Sequence, residues 1–136
     1  MRIYKVVKPI EGDLYHSCIA RVWAGVDYRP GEWAEPPEWL DRRGYFLTAF
    51  SELEDAERFL LEVAPWNFPR PQVWEAEAEG VRKMLPPILD SQLLEERQDI
   101  FDCFSKWPKG TIMARRIKLI RRVVWVEGGE LKRSVQ

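Results

Sequence analysis

The sequence predicts an α+β domain in which a mostly antiparallel or mixed sheet of five to six strands carries two main helices. Three observations point there. Residues 2–8 and 73–80 alternate with the two-residue period of a strand, residues 52–63 and 91–107 repeat apolar side chains at the 3.6-residue period of a helix, and clusters of Gly and Pro separate these stretches. At 136 residues the chain is expected to be one domain, residues 1–128, followed by a polar, frayed tail, 129–136.

The first segment sets Ile3, Lys5 and Val7 against Tyr4, Val6 and Lys8, a strand expected to end at Pro9, which has no N–H for a ladder. Gly12-Asp13 marks a turn into a second, β-branched strand over Ser17 to Trp23, so the two form a hairpin. Between Ala24 and Gly44 stand Gly25, Pro30, Gly31, Pro36 and Pro37, a density of breakers that predicts a long ordered loop. The aromatic run Gly44 to Phe50 reads as a buried strand. A helix follows at once, with Ser51 and Glu54 as a capping box and Leu53, Ala56, Phe59, Leu60 and Val63 on one face. Pro65, Pro69 and Pro71 end it.

Val73 to Gly80 places Glu75, Glu77 and Glu79 on one side and Trp74, Ala76 and Ala78 on the other, a half-buried strand. A second helix is predicted from Asp90 or Ser91 to Trp107, stopped by Pro108-Lys109-Gly110. Thr111 to Val126 reads as one or two strands, with Ile117, Leu119, Val123 and Trp125 on one face, Arg116, Lys118 and Arg122 on the other, and Ile120-Arg121 out of phase, as at a bulge.

Composition limits the function classes. The formal charge of −1 gives no overall electrostatic pull, and no apolar run reaches the roughly 18 residues of a membrane span. A cytoplasmic protein with no membrane partner is expected. Cys18 and Cys103 are too few for a disulfide framework or thiolate metal site, and the single histidine, His16, cannot build a histidine metal centre, so no metal is expected. Charge is nevertheless segregated. Residues 52–102 hold five basic and thirteen acidic side chains, whereas residues 103–136 hold nine and two, with no carboxylate between Asp102 and Glu127.

That polarity supports two readings of the basic segment. The segment offers Arg115, Arg116, Lys118, Arg121 and Arg122, and those of its cations that share one strand face repeat about every 6.6 Å, near the spacing of successive phosphates, which suits nucleic acid or another phosphate-bearing ligand. The same cations can instead lie beside Glu75, Glu77 and Glu79 as cross-strand pairs. Among the seven tryptophans, Trp33, Trp39 and Trp66 fall in or beside the proline-rich loops. With Tyr28, Thr48 and Phe68 they can line a groove for a flat ligand, or simply bury themselves to stiffen the loops. Glu75 and Glu77 at i, i+2 have the arrangement of an acid/base pair, or of a salt-bridged strand face.

The run Gly44-Tyr45-Phe46-Leu47-Thr48-Ala49-Phe50-Ser51, followed by Asp55-Ala56 and Phe59, resembles the strand and Ala-x-x-Phe helix of ADP-ribosyltransferase-like domains, and Glu75-Ala76-Glu77 resembles their Glu-x-Glu. The resemblance implies a split sheet that clamps NAD, with Thr48 and Ser51 near the supporting strand and Glu77 as the catalytic carboxylate. This chain has Thr48-Ala49-Phe50-Ser51 where that family has Ser-Thr-Ser, and Lys5 and Lys8 where its first strand has Arg or His. The leading expectation is a binding module without a cofactor. An NAD-using transferase and a module that pairs with a protein partner through a sheet edge are the alternatives.

Overall fold

The computed structural model of the chain describes residues 1–18, 26–42, 44, 46–63, 71–83 and 107–134. Among the described residues nine strands form one sheet: β1 (Arg2–Glu11), β2 (Leu14–Ser17), β3 (Asp27–Tyr28), β4 (Trp33–Ala34), β5 (Leu47–Phe50), β6 (Gln72–Glu79), β7 (Thr111–Ala114), β8 (Arg116–Glu127) and β9 (Glu130–Arg133). Two helices accompany them, the short α1 (Glu38–Asp41) and α2 (Leu53–Val63). Every strand ladder is antiparallel. The expected five to six strands with two main helices are therefore corrected. The described chain is mostly β, and α2 is its one helix longer than about a turn; residues 84–106, which hold most of the predicted second helix, lie outside the described residues.

The longest hydrogen-bonded path runs β3-β2-β1-β6-β8-β4. Its two ends are consecutive in the chain, joined by the turn at residues 29–32, where the Glu32 N–H donates to the Arg29 carbonyl (3.0 Å) and the Gly31 N–H donates to Leu119 of β8 (2.9 Å). The path thus returns on itself as a ring closed by a turn. Ile3, Val7, Tyr28, Trp74, Ala76, Ala78, Ile117 and Leu119 fill its inner face, together with Leu47, Ala49, Ile112 and Ala114 of the β5–β7 pair. On the outer face Val6, Phe50, Val73, Val123 and Val124 pack under Ala56, Phe59 and Leu60 of α2, the stripe that the helical period predicts. Phe59 and Leu60 are 1% and 0% exposed, and burying side chains of that size contributes about 1.5–3 kcal/mol each.

Local differences from the sequence reading have physical causes. β1 continues through Pro9 to Glu11, because beyond Val7 its one ladder is with β2, and an edge tolerates a missing N–H. The loop expected between Ala24 and Gly44 contains β3, β4 and α1: Pro30-Gly31 makes the ring-closing turn, and the Pro37 carbonyl accepts the first helical bond from Asp41 (3.0 Å). β6 is buried on both faces over residues 72–76, where Glu75 is 8% exposed, and shows the expected half-buried pattern only toward its end, at Glu77 and Glu79. The out-of-phase step in β8 is real. Two register shifts against β6 fall at Ile120 and Val123, and past them Val123 joins the outer core while Trp125 stands half-exposed, so neither shares the inner face of Ile117 and Leu119. The segment expected to fray forms β9, pairing Val124 to Glu127 with Arg133 to Glu130.

Candidate phosphate-binding face

On the outer face of β6 the glutamates lie between two rows of cations. Register sets Glu77 between Arg2 of β1 and Lys118 of β8, Glu75 between Tyr4 and Arg121, and Glu79 opposite Arg116. Glu75 is clamped by Arg2 and by Arg121, whose Nε donates to Oε2 at 2.9 Å. Glu77 accepts from Arg2 Nε at 3.0 Å and lies 3.7 Å from the terminal amine of Met1. Arg116 Nε lies 3.6 Å from Glu79. Cross-strand pairing therefore accounts for Glu75, Glu77 and Arg121.

The remaining basic side chains rest on aromatic rings. Trp33 stands directly opposite Lys118 in the β4–β8 ladder, and its ring carries both the Arg116 guanidinium, 4.1 Å from the centroid, and the Lys118 ammonium, 4.9 Å away. Arg122 lies 3.8 Å from the centroid of Trp125. Among the described residues Lys118 and Arg122 have no carboxylate within 4.0 Å. Arg115 points to another ring, Phe46 (5.4 Å), and lies 3.5 Å from Asp41. Phe46 also carries Arg82 (4.4 Å), which donates to the Gly44 carbonyl at 2.8 Å. A guanidinium stacked on a ring keeps its in-plane N–H donors for another acceptor; Arg115 and Arg116 each also have one carboxylate within 4.0 Å, Asp41 and Glu79, whereas Lys118 has none among the described residues.

The other candidate ligand contacts are dispersed. Tyr28 is buried inside the ring, 1% exposed, with the Lys5 ammonium 5.5 Å from its centroid. Thr48 is buried too, and both its carbonyl and its Oγ1 accept from Lys5 Nζ, the latter at 3.1 Å; Ser17 Oγ accepts a third bond at 3.0 Å. Trp39 stands in α1, while Trp66 and Phe68 lie outside the described residues. The structure thus brings Trp33 together with Arg116 and Lys118, and does not bring Tyr28 or Thr48 to that face. Among the described residues no three His, Cys, Asp or Glu side chains gather as a metal-binding group.

The Lys5 cluster ties β1, β2 and β5 together and was readable in one respect, since Lys5 keeps phase with Ile3 and Val7, the inward set. Burial holds its ammonium down to about 7 from 10.5, against a smaller opposing effect of the Cys18 thiol, and burial pushes the Tyr28 phenol up. The Phe46 platform had no sequence signal, because Arg82, Gly44 and Arg115 are distant in the chain and meet through the β5–β7 ladder and the Arg82–Met113 bridge.

No helix among the described residues is long and apolar enough to cross a membrane. Compared with known proteins, the chain matches no family model, no curated protein and no solved structure.

Proposed function

We propose that this protein is a binding module for a phosphate-bearing ligand, held on the outer face of β8 by Arg116 and Lys118; Arg122, opposite the inward-facing Trp74, lies on the other face of the strand. The observation that carries this reading is Trp33 under two cations at once. Like charges at i, i+2 on one strand face repel, and the ring offsets part of that cost through its quadrupole while leaving the donors ordered for an anion. Ordering the donors in advance lowers the entropy lost when a ligand binds.

The test is a titration of the full chain with inorganic polyphosphate at low salt, followed by tryptophan emission. Binding is expected, and the double variant Arg116→Gln, Lys118→Gln is expected to weaken it about tenfold or more, the scale of two lost phosphate contacts. An absence of binding at low salt, or an unchanged affinity in a folded double variant, overturns the reading.

A further inference from the structure

Arg115 and Arg116 are neighbours in the chain, yet one side chain lies on Phe46 and the other on Trp33. The reason is the bend at residue 115 between β7 and β8, which turns the two guanidiniums to different rings. Phe46 precedes Leu47, the partner of Ala114, so it sits across the ladder from that bend. The corner from Ala114 to Lys118 therefore has an aromatic ring with two cations on each side of it: Arg82 and Arg115 on Phe46, Arg116 and Lys118 on Trp33.

The cations do not form the straight row that a duplex backbone would use. Past the bulge at Ile120, Arg121 is taken by Glu75 and Arg122 by Trp125. The glutamates of β6 also confine the positive band. From β6 across β8 to β4 is two inter-strand spacings, about 10 Å. The major groove of a duplex alone is about 12 Å wide, so a docked duplex would overlie Glu77 and Glu79 and be repelled there. A single strand fits the band, and its unpaired bases have faces to stack on indole or on a guanidinium plane, as a duplex's bases do not.

Resting on the reading above, we propose that the phosphate-bearing ligand is a single-stranded nucleic acid, lying along β8 with one base at Trp33 and another at the arginine-capped Phe46. The bases stack, and the phosphates between them meet Arg116 and Lys118.

The experiment compares three probes on the full chain at one low salt concentration: a twelve-nucleotide oligothymidine, a duplex of the same length, and inorganic polyphosphate. The single strand is expected to bind at least tenfold more tightly than the duplex and to quench tryptophan emission. Trp33→Phe, which keeps a ring under both cations, is expected to retain affinity within about threefold. Trp33→Leu is expected to lose about tenfold for the single strand and much less for polyphosphate. The ranking of the three probes on the unaltered protein needs no variant to fold. A duplex bound as tightly as the single strand, or equal losses for single strand and polyphosphate in folded Trp33→Leu, overturns this inference and leaves the phosphate reading standing. No binding of any probe overturns both.

Discussion

Lys5 is a lysine that the fold holds out of water. It is 1% exposed, no carboxylate among the described residues lies within 4.0 Å of its ammonium, and three oxygens from Ser17 and Thr48 surround it. The groups facing it from the elements packed against it are Cys18 and Tyr28, both buried, and the two hydroxyls. Because the folded pKa of about 7 lies below the unfolded 10.5, the unfolded chain binds the extra proton between those values. Stability is then expected to rise with pH from about 7 toward 10, at roughly 1.4 kcal/mol per pH unit for this one group. Above pH 10 the raised Tyr28 phenol acts in the opposite direction, since only the unfolded chain then loses that proton. Urea unfolding at half-unit pH steps measures the slope, and Lys5→Met is expected to remove it. A wild-type slope no steeper than that of Lys5→Met over this window contradicts the assignment.

At the scale of elements, one glycine joins the helix to the sheet. Gly110 has φ +85°, and a Cβ there would stand 2.2 Å from Asp55 Oδ2 in the first turn of α2. Asp55 in turn holds Arg58 at 2.9 Å, and the Thr111 N–H donates to the Pro108 carbonyl (3.1 Å) to close the turn into β7. Gly110→Ala is expected to cost about 1–3 kcal/mol from the left-handed backbone plus the displaced carboxylate. Gly128→Ala, at φ +59° with nothing within 4 Å, incurs the backbone cost alone and is the control. Thermal melts of the two variants check it; equal losses would mean that the Asp55 contact contributes nothing. The elements that the sequence made legible are those whose pattern is local. The 3.6-residue stripe announced α2, alternation announced β6, and Ile120-Arg121 announced a bulge in β8. β3, β4 and β9 were missed because two to four residues carry no measurable period, and their pairing is decided by β2 and β8, which lie elsewhere in the chain. The site divides the same way. The basic run was visible as composition, but which cations meet glutamates and which meet rings depends on register, and one bulge changes it.

For the whole molecule, β8 has the central position. Its inner residues Ile117 and Leu119 face the ring's interior, its outer residues Arg116, Lys118 and Arg121 face the glutamates and Trp33, and its far end carries β9. The net charge of −1 thus conceals a local arrangement in which acidic β6 is flanked by basic β1 and β8, leaving Lys118, with no carboxylate within 4.0 Å among the described residues, toward β4. Because the path β3-β2-β1-β6-β8-β4 is closed by the 29–32 turn, with Gly31 bonded to Leu119, opening one seam exposes the interior of all six strands. Leu119→Ala, at a position 0% exposed, is expected to cost about 2–5 kcal/mol, a large share of the roughly 5–15 kcal/mol that holds a domain folded. Moreover, the loss is expected in one cooperative transition, with far-UV circular dichroism and tryptophan emission giving the same urea midpoint in both proteins. Separate midpoints for the two signals, with the tryptophan transition first, would mean that the β3–β4 seam opens independently of the β1–β6–β8 core, and the ring would then be a sheet with a detachable flap.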